Sequence, residues 1–307
     1  LPEHDVLWCP FFELDPPRAP IPAVVTIPDL QHVALPECFE RADLAARLRK
    51  LRPSAALAAR VLTNTEHSKR DLLRAYHLPE NHVVVTHLDC ARSFREPRCA
   101  TSIERVRSRY ELPAQFALYP ANAWPHKNHR GLFAAWAAYR ARDGPPPVLV
   151  LTGVPMERAD WLHSELATHG LTESVLHLGY VDAADMPSLY DAADLVVFPS
   201  LFEGFGIPVV EAMRRGRPLI AADAASIPEV AGDSAWLVDP RDPAAIADAV
   251  HTVLSDLGTA VARAARGPSE AERFDYTRTA AQTLAVFESV ASGEPPSAAA
   301  GAKNAQP

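Results

Sequence analysis

Short apolar runs alternate with stretches of helical periodicity along most of this 307-residue chain. AVVTI (23–27), VLTN (61–64) and VVVT (83–86) form one series, separated by helical patterns over 36–60 and 66–76. A second series runs through FALYP (116–120), VLVLTG (148–153), VLHLGY (175–180), LVVFPS (195–200), PLIAAD (218–223) and AWLVDP (235–240). Helical patterns over 129–142, 156–169, 183–193, 208–215 and 242–256 fill its gaps and follow it. Continuous apolar strands joined by helices imply parallel sheets covered on both faces. The length suits two such sheets. The pattern therefore predicts an α/β protein of two Rossmann-like domains. The first, over 1–112, is expected to be incomplete, with about three or four strands. The second covers 113–267, a closing helix covers 268–290, and the small and polar residues of 291–307 read as a disordered tail.

Charge and cysteine usage narrow the class. The formal net charge is −8 and no dense basic stripe is present. Nucleic acid is therefore not expected as a partner, because phosphate contacts need clustered Lys and Arg. Cys9, Cys38, Cys90 and Cys99 form no C-x-x-C pair, which suits reduced thiols in a cytoplasmic protein better than a disulfide framework. No apolar run approaches a membrane span. The opening LPEHDVLWCP lacks the features of a signal peptide and begins without Met, as expected of a processed or truncated product.

The stretch FPSLFEGFGIPVVEAMRRG (198–216) concentrates the chemistry. It passes from a buried-type strand through a glycine-rich loop into a helix that begins near Pro208. Sites in open α/β sheets lie beyond the carboxyl ends of strands. Gly204 and Gly206 let backbone amides, Phe205 among them, approach a ligand closely. The helix start adds free N–H groups and the positive end of a dipole, a combination suited to phosphate. Glu203 and Glu211 flank this point. A carboxylate beside a diphosphate is repelled by it, but one displaced to either side accepts hydrogen bonds from sugar hydroxyls. Two such groups fit a ligand with a sugar at each end of a diphosphate, which describes a nucleotide sugar. The competing structural interpretation makes Glu211 only a favourable charge at a helix start.

The segment FEGFGIPVVEAMRRGRPLIAADAASIPEVAGDSAWLVDP resembles the signature of family 4 glycosyltransferases, with the GT-B fold of two sheets facing a cleft. Similarity extends from about residue 6 to about 289. The resemblance implies transfer of a sugar from a UDP- or GDP-linked donor to a glycan, lipid-linked or small-molecule hydroxyl. It further implies retention at the anomeric carbon, no metal and no cofactor beyond the nucleotide-sugar co-substrate. Glu203 would position the transferred sugar and Glu211 would take the ribose. In YPANAWPHKNH (119–129), Lys127 resembles the diphosphate-binding lysine, and Asn122 stands where many members carry Arg. Gly153, and Gly179, Tyr180 and Val181, match positions that hold the nucleotide base. Tyr190 reads as structural, and Asp185 as the cap of the following helix.

Two segments depart from the family pattern. TIPDLQHVALPECF (26–39) carries Pro28 where relatives commonly have a histidine near the transferred sugar. Either His32 fills that role or no residue does. The glycine loop expected before the first domain's strands is missing, which implies a truncated or reduced domain. His126 and His129 resemble a metal pair but have no carboxylate or thiol set beside them, so no metal is expected. Peripheral contact with the inner face of a membrane is compatible with the resemblance. Two other functions stay open: a nucleotide-sugar-binding protein without transfer activity, and a GT-B nucleotide-sugar epimerase.

Overall fold

The structure, a computed structural model, describes residues 4–154 and 161–293. The expected tail lies outside these from residue 294 onward, as do the first residues of the helix expected at 156–169. The chain forms two compact units. One runs to Asp89 and resumes at Phe274; the other is Cys90–Arg273.

The first unit contains, among the described residues, a parallel sheet of β1 (Leu7–Cys9), β2 (Ala23–Thr26), β3 (Arg60–Thr63) and β4 (Val83–Val85), in that order. Adjacent residues on a strand face opposite sides of the sheet. Val25 and Val61 accordingly pack with Leu51, Ala55 and Leu72 on one face. Val24 and Leu62 pack with Val286 and Val290 on the other. The latter pair comes from the helix Tyr276–Ser292; the closing helix expected over 268–290 is instead two, a short Gly267–Ala271 and this one, capped by Asp275, which completes the first unit. β1 was not anticipated. It is a three-residue edge strand, fastened by Trp8 Nε1, which donates to Thr26 Oγ1 at 3.0 Å. Thr65 caps the helix Glu66–Tyr76 by accepting from the Ser68 amide, as its position implies.

The second unit holds β5 (Phe116–Pro120), β6 (Val148–Thr152), β7 (Val175–His177), β8 (Leu195–Phe198), β9 (Leu219–Ala222) and β10 (Trp236–Val238). All pair in parallel, in the order β10-β9-β8-β5-β6-β7. The chain moves outward from β5 to β6 and β7, then crosses back so that β8 lies on β5's other side. Open α/β sheets bind ligands beyond the carboxyl ends of the strands at such a reversal, here β5 and β8. β8 is buried along its whole length, as its continuous apolar run requires.

The helix Ala100–Arg109 also belongs to this unit, although the sequence placed residues up to 112 in the first domain. Its Arg105 and Arg109 pair with Asp185 at 2.9 and 2.8 Å, and Tyr110 donates to the same carboxylate at 3.0 Å. This corrects the expectation for Asp185. It precedes the helix Met186–Ala192, but its carboxylate is engaged by those three groups and makes no cap bond. Two cations and a phenol outweigh the weaker attraction of helix amides. Asp242 does cap its helix, accepting from the Ala244 and Ala245 amides.

Candidate active site

Lys127 ends a 3-10 turn, Pro125–Lys127, that follows β5. Four bonds hold the turn in place. The buried Tyr119 hydroxyl donates to the Lys127 carbonyl. The Leu201 amide donates to the His126 carbonyl at 2.7 Å, which joins the turn to the loop after β8. Asn128, in the left-handed conformation at φ 61°, donates from Nδ2 to the carbonyls of Pro199 and Pro240. The lysine is thus preorganised by backbone anchors at three strand ends.

Glu203 enters from the loop after β8. Its Oε1 lies 2.6 Å from Lys127 Nζ, and the two side chains are only 12% and 16% exposed. The ammonium also stands over the Phe198 ring, 5.0 Å from its centroid. An ion pair this sheltered is strongly coupled, because removal of either member leaves a poorly solvated charge. Burial drives the pKa of the neighbouring His126 down to about 4, with the Lys127 charge adding and Glu203 opposing. Burial likewise lowers His129 to about 4, with His177 and Lys127 adding to the effect. Both rings are neutral at pH 7. Among the described residues no group of three or more His, Cys, Asp or Glu side chains is placed to share a metal ion.

The loop has its own support, which the sequence did not reveal. Ser226, fully buried after β9, donates to the Glu203 carbonyl at 2.7 Å and approaches the Phe205 carbonyl at 3.3 Å. Both carbonyls are thereby tied to a buried hydroxyl. Gly206 closes the loop at φ 96° as the N-cap of the helix Ile207–Arg214. A Cβ there would meet Ile227 Cδ1 at 2.5 Å, and the positive φ strains any side chain even if Ile227 moves aside. The only sequence cue for Ser226 is its place in SIPEV, a stretch identified by resemblance.

Glu211 lies one turn into the same helix. It is partly buried, and its Oε2 accepts from the Tyr190 hydroxyl at 2.6 Å. Burial raises its pKa to about 7 against the lowering effect of that bond. Tyr190, which the sequence suggested was structural, is therefore in direct contact with a candidate site residue.

The remaining candidates lie at neighbouring strand ends. Asn122 Oδ1 accepts from the Val154 amide at 2.8 Å and sits beneath Gly153, so its carbonyl ties two loops together. Gly153, at φ 92°, donates to the Gly179 carbonyl at 2.7 Å. Tyr180 is 78% exposed, whereas the next residue, Val181, is buried. His32 belongs to the first unit. It is 1% exposed, with its ring edge-on to Phe39 and 3.5 Å from the Tyr76 hydroxyl. Burial, with Arg47 adding, lowers its pKa to about 4.

An ammonium, a glycine loop and two carboxylates thus follow β5 and β8 of one parallel sheet. The glycosyl transferases group 1 family matches residues 103–268, and the chain belongs to that family. It is 32% identical to an O-antigen chain mannosyltransferase B of Escherichia coli over 87% of this chain and 70% of the relative. It is 31% identical to a D-inositol 3-phosphate glycosyltransferase of Salinispora tropica, over 81% of this chain and 54% of that protein. The chain thus spans only about half the length of the second relative. Among solved structures, Anabaena Alr3699/HepE in complex with UDP-glucose aligns with a TM-score of 0.74 at 23% identity, covering 88% of this chain and 72% of that one. WaaG, a glycosyltransferase involved in lipopolysaccharide biosynthesis, aligns at 0.70 and 15% identity, covering 89% and 79%. The fold is that of GT-B glycosyltransferases.

Proposed function

We propose that the protein transfers a hexosyl group, with retention of anomeric configuration and without a metal, from a UDP- or GDP-linked donor to a hydroxyl of a glycan or lipid-linked acceptor. The convergence of Lys127 and Glu203 at the β5–β8 reversal carries the reading. In it, the donor diphosphate rests against Lys127 and the start of the helix Ile207–Arg214. The ammonium and the helix dipole offset the charge that grows on the leaving diphosphate as the bond from anomeric carbon to phosphate oxygen breaks. Lys127 supplies charge that a divalent cation supplies in other transferases. The acceptor oxygen bonds to the anomeric carbon on the face the diphosphate leaves, and its proton passes to a leaving phosphate oxygen. No separate base is required, and the buried His32 is given no role in transfer. Glu203 releases Lys127 to the diphosphate and accepts from hydroxyls of the transferred sugar, while Glu211 accepts from the ribose. The mannosyltransferase relative supports a hexose donor, and the O-antigen product in its name supports a polysaccharide acceptor.

The test is product analysis after incubating the chain with GDP-mannose or UDP-glucose and mannose-containing oligosaccharides. A mass gain of one hexose on the acceptor, with an anomeric configuration matching the donor's, is the expected result. An inverted linkage, or free isomerised donor without acceptor, would overturn it.

A further inference from the structure

Tyr190 is the largest side chain of the helix Met186–Ala192 and is fully buried. A buried hydroxyl is costly unless bonded, so a tyrosine here, where phenylalanine would fill the same space, needs a partner. The partner is Glu211 Oε2, at 2.6 Å. The phenol ring is locked in place. Phe94 packs edge-on at 5.3 Å and 88°. The Phe94 carbonyl accepts from Arg215, and Arg215 in turn pairs with Asp191, next to Tyr190 in sequence. The hydroxyl therefore points at Glu211 from a support with little freedom.

Other ionisable groups come from the elements packed on the Glu211 helix. They are Asp191 beside Tyr190, Arg92 and Arg95 of the 3-10 turn Arg92–Arg95, Glu229 of Ile227–Ala231 and Glu270 of Gly267–Ala271. Asp191 is taken by Arg215, Arg95 lies 3.7 Å from Glu272, and Glu270 accepts from Ser234. Burial and the Tyr190 bond are the influences that set the Glu211 proton, and Cys90 adds to the field at the phenol.

We propose that Tyr190 is a positioning residue for Glu211: its hydroxyl fixes Oε2 and so aims Oε1 at the ribose diol of the donor nucleotide. The inference rests on the reading in which Glu211 takes the ribose. Its consequence is a pH signature. An ionised carboxylate is the stronger acceptor for hydroxyl donors. Burial holds Glu211 near 7 while the tyrosine bond pulls it down, so donor affinity falls as pH drops through about 7. Without the phenol, burial acts unopposed and the midpoint moves to higher pH.

Calorimetric titration of the whole chain with UDP and GDP between pH 5.5 and 9 tests this, in wild type, Tyr190→Phe, Glu211→Gln and the double variant. The more tightly bound nucleotide is carried forward. Tyr190→Phe is expected to weaken binding about tenfold at pH 7, the worth of one hydrogen bond to a charged group, and to raise the pH midpoint. In the Glu211→Gln background it should cost nothing further. Wild-type affinity and midpoint in Tyr190→Phe, or an undiminished loss in the Glu211→Gln background, would overturn the inference alone. Full affinity in Glu211→Gln, or no binding of either nucleotide to wild type, would remove the ribose assignment and the inference with it.

Discussion

Glu203 and Glu211 stand on either side of one glycine loop, yet they live in opposite electrostatic settings. Glu203 is met by a full positive charge, the Lys127 ammonium at 2.6 Å. Glu211 is met by a neutral phenol at the same distance. A cation stabilises the ionised form directly, whereas one neutral donor does not offset burial, and Glu211 is lifted to about 7. Two carboxylates eight residues apart are thus prepared differently. In the proposed mechanism the first shares its cation with an incoming diphosphate, and the second is an acceptor whose charge depends on pH. The general lesson is that a repeated residue type in a motif need not be a repeated function.

The two carboxylates should differ most at the ion pair. In the proposed mechanism Lys127→Ala removes the diphosphate's counter-charge, and it leaves Glu203 sheltered without its cation. Steady-state assays should show kcat/KM falling about 10²–10³-fold, the scale of losing one preorganised donor in a transition state. Glu203→Gln should separate binding from transfer: the freed ammonium binds nucleoside diphosphate more tightly while kcat falls. Equal weakening of both by Glu203→Gln would deny that the carboxylate competes with the diphosphate.

A smaller effect is expected at Glu211. Its folded pKa of about 7 lies above the ordinary 4.5, so the folded state holds the proton more tightly than the unfolded chain does. The associated stability is complete below about pH 4.5 and is lost as pH rises through about 7. Glu211→Gln cannot titrate and should melt about 2–4 °C higher than wild type at pH 8, a gain on the order of 1 kcal/mol in a domain of this size. The gain should vanish at pH 4.5. Scanning calorimetry at the two pH values checks this.

Ser226→Ala probes the loop between them. Loss of the hydroxyl takes a buried donor from the Glu203 carbonyl and should cost about 1–3 kcal/mol in denaturant unfolding. A several-fold fall in kcat/KM should accompany it, because the loop carrying Glu203 loses its internal anchor. A variant with wild-type activity would place the loop's order elsewhere.

Much of this was readable along the chain. The alternation of FALYP, VLVLTG and LVVF with helical stretches fixed strands to within a residue or two, because buried parallel strands demand continuous apolar runs. Thr65 and Asp242 acted as caps because capping is a contact within three residues. Gly206 was legible as a loop glycine. The helix Ala100–Arg109 was not assigned to its unit, since that depends on arginines meeting Asp185 some 76 residues away. Asp185 itself misled for the same reason. Tyr190 looked like any core aromatic, because nothing beside it in sequence shows that a carboxylate 21 positions on would take its hydroxyl.

The linear order of residues determined where backbone hydrogen bonds would close, and hence the strands, the helices and the glycine-bearing turn at the end of β8. Those outcomes follow from steric and periodic constraints that act over a few residues. Folding alone decided which charges meet. Lys127 joins Glu203 across the β5–β8 reversal, and Tyr190 rather than a cation faces Glu211. Electrostatic character follows from burial and from neighbours brought together through space, and neither is a property of a residue's place in the chain.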